Sequence, residues 1–278
     1  MKRRNNPFLL KRILGLLLVI LIGLVLYAFL VEPYSVKVEK IVVETEKIPK
    51  GLKLKIVQLS DLHLHGIGNR ERLALSVIER LNPDIVVVTG DLIDNKENLD
   101  ELYEFMKKLS QKEKTYVVFG NWDHWSGADL NDLKHELESL GVTVLINSHG
   151  KIEMDGACLY IVGVDDPHTG RANLEKALAG ITSDCFVILL AHSPEIVMEA
   201  AERDVHLVLA GHTHGGQVVV PGYGPLFLPV SREYRKYSSG FFKIENTLLY
   251  VNRGLGTTML PVRIFCPPEV TLIEIVGR

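Results

Sequence analysis

Two patterns of apolar and polar positions recur along the chain, namely continuous apolar runs and apolar residues at helical spacing. Short runs of apolar, mostly β-branched residues, such as 84–89 (DIVVVT) and 186–191 (FVILLA), predict strands that are buried on both faces. Segments with apolar residues three or four positions apart predict amphipathic helices at 70–81, 97–109 and 130–140. The same patterns predict further strands at 36–44, 52–60, 115–119, 142–146, 158–164 and 205–210, further helices at 172–179 and 194–203, and strands with long loops from 217 onward. Because predicted strands and helices follow one another along the chain, we expect an α/β fold whose buried strands are covered by helices.

The N-terminal pattern differs from the rest. Residues 13–31 carry no charge, and as a helix they would reach roughly 28 Å, close to the hydrocarbon thickness of a bilayer. Five basic residues precede them: Lys2, Arg3, Arg4, Lys11 and Arg12. A cleaved signal peptide is the alternative, but the run is long for one and 28–30 (AFL) is not an A-x-A site. We expect a basic cytoplasmic segment at 1–12, a single-pass membrane anchor at 13–31, a linker with the first strand at 32–51, and one extracytoplasmic domain at 52–278.

Composition and cysteine usage narrow the possibilities. The chain is 47% hydrophobic and 23% charged, as in a globular protein with a full core. Its net charge of -3 does not favour nucleic acid as a partner. The three cysteines, Cys158, Cys185 and Cys266, are odd in number and far apart, so we predict neither a disulfide framework nor a cysteine-type zinc site. Cys158 and Cys185 are interpreted as small core residues.

Polar residues of a restricted kind follow five of the predicted buried strands. In chain order they are Asp61 with His63, Asp91, Asn121, His192, and His212 with His214. In open α/β sheets, sites form at the carboxyl ends of strands. Carboxylate, amide and imidazole together suit Mn²⁺, Fe or Zn²⁺ better than Ca²⁺, whose ligands are all oxygen. One such motif would be a weak signal, but five in one chain predict a metal site.

The ordered motifs D-x-H (61–63), G-D (90–91), G-N (120–121), H (192) and G-H-T-H-G-G (211–216) resemble those of the calcineurin-like metallophosphoesterases. The resemblance extends over roughly residues 52–276. The GHTHGGQ ending, with NRGLG at 252–256, is similar to the membrane-linked bacterial branch, which includes YkuE- and YaeI-type phosphodiesterases and some UDP-2,3-diacylglucosamine hydrolases. The implied fold is a four-layer sandwich of two mixed β-sheets flanked by helices, preceded here by one transmembrane helix.

The resemblance also implies a site for two divalent metal ions, with manganese expected and iron or zinc as alternatives. Metal one would take Asp61, His63, Asp91 and His214, and metal two Asp91, Asn121, His192 and His212. Asp91 would bridge them, and a hydroxide between the metals would attack phosphorus. The expected reaction is hydrolysis of a phosphodiester or pyrophosphate bond. The alternatives are a UDP-2,3-diacylglucosamine pyrophosphatase of lipid A synthesis and a metal-binding membrane scaffold without turnover.

The chain departs from the family pattern next to the metal ligand Asn121. The family motif is G-N-H-[DE], in which the histidine protonates the leaving group, whereas this chain has Trp122. Tryptophan cannot transfer a proton at neutral pH. Three alternatives remain: His124 takes over the role with Asp123 beside it, His65 does so, or the leaving group needs no acid.

Signals for the substrate are concentrated near the C-terminal end. The stretch 221–237 contains Arg232 and Arg235, which we predict, together with Arg253, to bind phosphate oxygens; a solvated surface loop is the alternative. The apolar LFLP segment at 226–229 lies in the same stretch. In a membrane-tethered protein, this combination favours a lipid-linked or cell-envelope phosphoester.

Overall fold

The computed structural model describes residues 7–111, 114–182 and 184–278; Lys2, Arg3 and Arg4 of the predicted basic segment lie outside them. The α-helices are α1 (Pro7–Leu30), α2 (Asn69–Leu81), α3 (Leu99–Ser110), α4 (Asn121–Trp125), α5 (Leu130–Ser139), α6 (Leu174–Leu178) and α7 (Val197–Ala201). The strands are β1 (Lys37–Thr45), β2 (Lys53–Leu59), β3 (Ile85–Thr89), β4 (Lys114–Val118), β5 (Val142–Val144), β6 (Ser148–Met154), β7 (Ala157–Gly163), β8 (Phe186–Leu190), β9 (Leu207–Ala210), β10 (Val219–Val220), β11 (Gly224–Pro225), β12 (Gly240–Ile244), β13 (Thr247–Val251) and β14 (Glu269–Gly277).

Two six-stranded mixed sheets form the centre of the molecule. The first has the strand order β1-β14-β2-β3-β4-β5, and the second has the order β12-β13-β9-β8-β7-β6. In the first sheet β2, β3, β4 and β5 run parallel, and β14 is antiparallel to β2. In the second sheet β7, β8, β9 and β13 run parallel, with antiparallel β6 and β12 at the edges. Strands that run parallel deliver their carboxyl ends to one edge of each sheet.

Three apolar clusters hold four layers together. The cluster between the sheets includes Ile56, Val87, Ile188 and Leu209, all fully buried. A second cluster lies between the first sheet and helices α2, α3 and α5, and a third lies between the second sheet and helices α6 and α7. The predicted arrangement of two mixed sheets flanked by helices is therefore confirmed. Strands with both faces covered are continuously apolar, which is why DIVVVT and FVILLA show no alternation.

Helix α1 is the one described helix that is long and apolar enough to cross a membrane. Within Leu10–Tyr34, the most apolar window of 18 residues has a mean hydropathy of 3.0, and its side chains are almost all exposed. A helix whose apolar side chains face outward on all sides has no protein core to bury them in, which suits lipid surroundings. The predicted N-terminal apolar helix is thus present.

The segment after α1 joins the sandwich directly. Strand β1 pairs in parallel with β14 at the edge of the first sheet, from Lys37 opposite Glu269 to Thr45 opposite Gly277. The end of α1 is also anchored, because Arg263 N donates to Ala28 O at 3.0 Å and Cys266 N donates to the carboxylate of Glu32. Glu32 and Ala28 are both buried. The carboxyl end of α1 is therefore packed against the 263–266 loop.

The prediction for the cysteines is wrong. Cys158 and Cys185 form a disulfide, with their Cα atoms 4.8 Å apart, while Cys266 is free and buried. The two partners are 27 positions apart in sequence, but β7 and β8 are neighbours and Leu159 lies opposite Phe186. The residues that immediately precede this pair are consequently side by side. Pairing between strands, which spacing along the chain does not reveal, brings the two thiols together.

Candidate metal centre

The carboxyl ends of five strands meet at one edge of the sandwich. Strands β2, β3 and β4 of the first sheet lead into Asp61 with His63, Asp91 and Asn121. Strands β8 and β9 of the second sheet lead into His192 and into His212 with His214. All seven side chains predicted as ligands are buried, with at most 4% exposure. Because the two sheets pack face to face, the two halves of the set converge across the interface.

The ligand atoms fall into two overlapping groups that share Asp91. One group contains Asp61, His63, Asp91 and His214, and the other contains Asp91, His192 and His212; within each group the atoms lie within 4.8 Å of one another. Asn121 joins the second group, because its Oδ1 lies 3.1 Å from His192 Nε2. In the first group, His63 Nε2 is 3.1 Å from His214 Nε2 and 3.6 Å from Asp91 Oδ2. The sets expected for metal one and metal two are thus brought together.

The outer nitrogens of three histidines are held by oxygen acceptors. His192 Nδ1 lies 2.9 Å from the carbonyl of Thr89, and His212 Nε2 lies 2.9 Å from the carbonyl of Pro229. A carbonyl oxygen only accepts, so each of these nitrogens carries a proton, and in the neutral ring the other nitrogen has a free lone pair. His63 Nδ1 contacts the carboxylate of Asp94. This is how metal-binding histidines are usually oriented.

With neutral rings, four acceptor atoms of the second group face one another. His192 Nε2 lies 3.0 Å from His212 Nδ1, 3.1 Å from Asn121 Oδ1 and 3.2 Å from Asp91 Oδ2. Lone pairs packed this closely repel one another unless a cation lies between them. The donor set, two imidazoles, one amide oxygen and one carboxylate, fits a first-row divalent metal. The residues present therefore fit the expected second metal.

The electrostatics of the site point the same way. Burial and then the charge of His192 lower the pKa of His212 to about 3, and burial and then His63 hold the pKa of His214 well below its usual range. Both are therefore neutral near pH 7, the form that binds metal. Burial opposes ionisation of Asp91, but His192 outweighs it and lowers the pKa of Asp91 to about 2. Burial likewise opposes protonation of His192, but Asp91 raises its pKa to about 10. The position beside Asp91 thus strongly favours positive charge.

The backbone at the ligands is unusual. Five of the seven ligands have positive φ angles: Asp61 (49°), His63 (42°), Asp91 (52°), His212 (69°) and His214 (51°). This left-handed region costs a non-glycine residue of the order of 1 kcal/mol or more and is concentrated at functional sites. The turns direct side chains from the strand ends into the space between the sheets, where a regular strand would not place them.

Close backbone approach explains two of the glycines in the motifs. A Cβ atom at Gly90, whose φ is +84°, would lie 2.6 Å from His192 Nδ1. A Cβ atom at Gly120 would lie 2.7 Å from the amide of Asp91 and 2.8 Å from His192 Cγ. All three distances are shorter than the contacts that Cβ atoms make in real proteins. Strands β3 and β4 can therefore bring their ligands together only where no side chain intervenes.

The two residues that follow Asn121 in α4 make different contacts. Trp122 lines the cavity in front of the metal ligands, and its amide donates to Asp91 Oδ1 at 2.8 Å. Asp123 is fully buried and accepts hydrogen bonds from the amides of Gly120 and Leu92, both at 2.8 Å. Burial and then the charge of Asp91 raise the pKa of Asp123 to about 7. Asp123 thus fixes the first turn of α4 on the loop that carries Asp91.

The histidines expected to supply a proton lie outside the cavity wall. His124 Nε2 is 2.7 Å from Asp165 Oδ1, so its carboxylate partner is Asp165 and not Asp123. His65 has a 61% exposed side chain and lies 2.8 Å from Asp94. Neither lines the cavity beside the ligands in the described part of the chain. Their catalytic role stays a prediction.

The arginines expected to bind substrate also lie elsewhere. Arg232 and Arg235 are exposed, and Arg253 pairs with Glu39 and Glu269 at 2.6 Å each. None of these three arginines is among the described residues that line the cavity. Their role in binding substrate stays a prediction, and their positions do not support it.

Arg263 has a structural position behind His214. It is fully buried, and burial lowers its pKa. Its guanidinium donates to five backbone carbonyls, at 2.7–3.5 Å, and to Cys266 Sγ at 3.9 Å. The carbonyls are those of Gly256, Arg253, Gly254, Cys266 and His214. This one side chain therefore holds the 253–266 loop together at the back of the metal centre.

Two further residues, Asp94 and His168, lie at the candidate site but belong to no motif that could be recognised in the sequence. Asp94 contacts His63 and is the outer partner of a ligand. The ring of His168 lies 4.5 Å from that of His212 and lines the same cavity, and its Nδ1 is 3.5 Å from Glu195. His168 follows no buried strand, so it gave no signal at the sequence level. Among the described residues that line the cavity, His168 is the histidine that is not a proposed metal ligand.

A cavity of about 420 Å³ opens directly over the ligands. Its polar end is formed by Asp91, Asn121, His212 and His214. The remaining wall is mostly apolar and includes Trp122, Trp125, Val218, Leu226, Phe227, Pro229, Met259, Leu260 and Val262. A phosphoester at the metals would therefore extend into an apolar space.

The two-sheet sandwich and its paired ligand sets define a metal-dependent phosphoester hydrolase. Consistent with this, the sequence profile of the family described as calcineurin-like phosphoesterase matches residues 54–216. The chain belongs to the calcineurin-like phosphoesterase family.

Several relatives extend the similarity over nearly the whole chain. The uncharacterized metallophosphoesterase YkuE of Bacillus subtilis is 34% identical over 257 residues, which cover 90% of this chain and 88% of YkuE. The phosphodiesterase YaeI of Escherichia coli is 31% identical and covers 80% of this chain and 82% of YaeI. A transmembrane protein with metallophosphoesterase domain from Danio rerio is 33% identical and covers 93% of this chain and 61% of that protein. The apolar helix α1 and this relative together suggest membrane association.

Proposed function

We propose that the protein is a dinuclear metal-dependent phosphodiesterase. The observation that carries this proposal is the convergence of seven buried ligands into two groups that share Asp91. Two divalent cations bound there would neutralise phosphate oxygens and make water nucleophilic at neutral pH. Manganese is the proposed metal, because the mixed nitrogen and oxygen donors suit it, with iron or zinc as alternatives.

The residues of the chain contribute orientation and charge. Asp91 supplies the shared anion, with its Oδ1 held by the amide of Trp122 and its Oδ2 facing His63 and His192. The carbonyls of Thr89 and Pro229 keep His192 and His212 in the tautomers that point lone pairs inward. The indole of Trp122 forms a wall beside the ligands and limits the access of water from that side. Fixed groups of this kind need no reorganisation during the reaction.

The proposed substrate carries its phosphodiester or pyrophosphate on a lipid or another apolar envelope component. The apolar wall directly beside the ligands supports this, since an ionic, fully soluble ester would gain little from it. The name of the relative YaeI, a phosphodiesterase, supports a diester over a monoester.

The domain is proposed to lie outside the cytoplasm, attached by α1. Basic residues precede the apolar helix, as expected when the N-terminus stays inside. The Cys158–Cys185 disulfide adds independent support, because disulfides persist in oxidising compartments. Alkaline phosphatase fused to the C-terminus should be active, because it requires export. A fluorescent protein that folds only in the cytoplasm should be dark when it is fused at the same position. The reverse pattern would favour the cytoplasmic UDP-2,3-diacylglucosamine pyrophosphatase instead.

Hydrolysis of bis-(p-nitrophenyl) phosphate by the detergent-solubilised full chain tests the reaction. The enzyme is stripped of metal, reloaded with Mn²⁺, and compared with Asp91→Asn and Asp155→Asn. The two aspartates are matched, because both have left-handed φ angles, 52° and 50°, which asparagine tolerates, and Asp155 lies in an exposed turn. We expect the parent to depend on metal, Asp155→Asn to match it, and Asp91→Asn to lose at least about 100-fold. A parent that binds two metals without turning over diesters would refute the proposal.

The source of the leaving-group proton needs a separate comparison. His124→Ala and His168→Ala are tested on bis-(p-nitrophenyl) phosphate and on an alkyl diester, whose leaving group needs protonation. If His124 acts as predicted, its variant loses activity selectively on the alkyl diester. A selective loss in His168→Ala alone would transfer the role to the residue that lines the cavity.

A further inference from the structure

Two uncharged loops at the mouth of the cavity expose large apolar side chains. Residues 218–230 and 254–262 contain no charged residue. Leu226 and Phe227 in the first loop are 60% and 65% exposed, and Met259 and Leu260 in the second are 85% and 60% exposed. The same four residues also line the cavity over the metal ligands. A contiguous apolar surface of this kind usually marks an interaction site. We call these four residues the apolar rim.

The two loops form one unit. Ile264 N donates to Gln217 O at 2.9 Å, and Val219 N donates to Ile264 O at 3.0 Å. Gln217 also binds the second loop through its side chain, since Thr258 N donates to Gln217 Oε1 at 2.8 Å. The apolar rim is therefore built on a hydrogen-bonded frame, and its two halves keep a fixed relation.

This unit is attached to the carboxyl end of α1. Arg263 N donates to Ala28 O at 3.0 Å, and Ala28 belongs to the uncharged run at 13–31. Ala28 is three residues from the end of that run, or about 5 Å along a helix axis. Leu260 precedes Arg263 by three residues, so it lies within about 10 Å of Arg263. If α1 crosses the bilayer, the 259–263 segment must lie at the level where the hydrocarbon region ends.

The orientation of the sandwich agrees with this position. Strand β1 begins at Lys37, shortly after α1, and pairs in parallel with β14, which is antiparallel to β2. The beginning of β1 therefore lies at the same edge as the carboxyl end of β2, which carries Asp61 and His63. The metal centre consequently faces the end of α1, and the opposite edge, near Glu46, is about 30 Å further away.

We propose that the apolar rim inserts into the lipid surface in which α1 ends, so that the cavity opens onto the bilayer. A membrane lipid would then move sideways into the cavity, with its phosphoester at the metals and its apolar chain against the rim. Lipid is the occupant favoured over a protein partner, because the rim is continuous with a helix suited to lipid and carries no charge for specific pairing. This inference rests on the proposed membrane anchor and on the proposed catalytic site.

Depth-dependent quenching tests the docking without any turnover. Single cysteines at Phe227→Cys, Met259→Cys and Glu46→Cys in the full chain are labelled with an environment-sensitive fluorophore and reconstituted into phosphatidylcholine vesicles. Unchanged protein serves as the blank, because Cys266 is buried and the other two cysteines are bonded. Glu46 is the matched control, since it is exposed and lies at the far edge. We expect nitroxide lipids to quench the labels at 227 and 259 and to leave the label at 46 unaffected.

The outcomes separate this inference from the proposed function. If the protein floats with the vesicles but all three labels stay unquenched, the docking is overturned and the catalytic proposal stays intact. Protein that does not float would overturn the anchor, and the docking with it. The same quenching in an inactive Asp91→Asn background would show that docking does not depend on catalysis.

Lateral entry of the lipid is tested by a ratio of activities. Leu260→Glu should lower the turnover of a vesicle-embedded phospholipid diester, relative to bis-(p-nitrophenyl) phosphate, by about tenfold or more, as expected when burial of one leucine side chain is lost. An unchanged ratio would overturn lateral entry.

Discussion

Asp94 offers a sharp test of the metal centre because it acts on only one of the two ligand groups. Its carboxylate contacts His63 Nδ1 and also lies 2.8 Å from His65 Nε2. His63 belongs to the group of metal one, and it is not among the ligands expected for metal two. Asp94→Asn preserves the size of the side chain and removes its charge. The ring of His63 would keep a hydrogen-bond acceptor and lose the anion that makes its inner nitrogen more basic.

The magnitude follows from the position of the carboxylate. Removal of an outer partner of a metal-bound histidine typically weakens metal affinity 10- to 100-fold. This corresponds to about 1.4–2.7 kcal/mol of binding free energy. Because Asp94 is only 19% exposed, solvent screens this interaction little. We expect one Mn²⁺ site to weaken by this factor and the other to change by no more than about threefold.

Titration of Mn²⁺ into metal-stripped protein with a competing chelator measures both affinities. Asp165→Asn is the matched control, because it breaks a similar carboxylate–histidine contact, at 2.7 Å, to His124, which is not a proposed ligand. Asp165 is 14% exposed, close to the value for Asp94. Equal weakening of both sites, no change in either, or the same loss in Asp165→Asn would each refute the reasoning.

Three further predictions concern the framework around the site. Gly120→Ala should lose Mn²⁺ binding and at least about 100-fold in activity, because the added methyl group would clash with Asp91 and His192. The control Gly150→Ala, whose methyl group would have its nearest neighbour 3.5 Å away, should behave like the parent. Normal metal affinity in Gly120→Ala would contradict this prediction. Replacing Cys158 and Cys185 together by serine should lower the free energy of unfolding by about 3–4 kcal/mol, the value expected for a disulfide that closes a loop of this length. If reductant leaves the denaturation midpoint of the parent protein unchanged, the disulfide is not formed. Arg263→Lys should lower the free energy of unfolding, measured by chemical denaturation, by about 3–5 kcal/mol. The reason is that one ammonium group cannot reach all five backbone carbonyls that accept hydrogen bonds from the guanidinium. A loss below about 1 kcal/mol would be inconsistent with that network.

Most of the fold and all seven proposed ligands could be predicted from the sequence. A strand buried on both faces leaves a continuous apolar run, and the residue that follows it lies at the edge of the sheet whatever the strand order. Asp91 and His192 could therefore be identified without knowledge of their distance. Strand β6 (SHGKIEM) and helix α4 (NWDHW) were missed, because seven and five mostly polar residues show neither an apolar run nor a helical period.

The sequence by itself thus determined the class of fold, the residue types of the proposed metal ligands and the apolar helix at the N-terminus, since each is encoded within a few neighbouring residues. Only the tertiary structure decided which groups surround those ligands. Asp94 behind His63, His168 beside His212 and the apolar rim next to α1 depend on which strands are neighbours and on loops that meet across the sandwich. The physical reason is that contacts between distant segments are selected by the packing of the whole chain, and no local pattern records them.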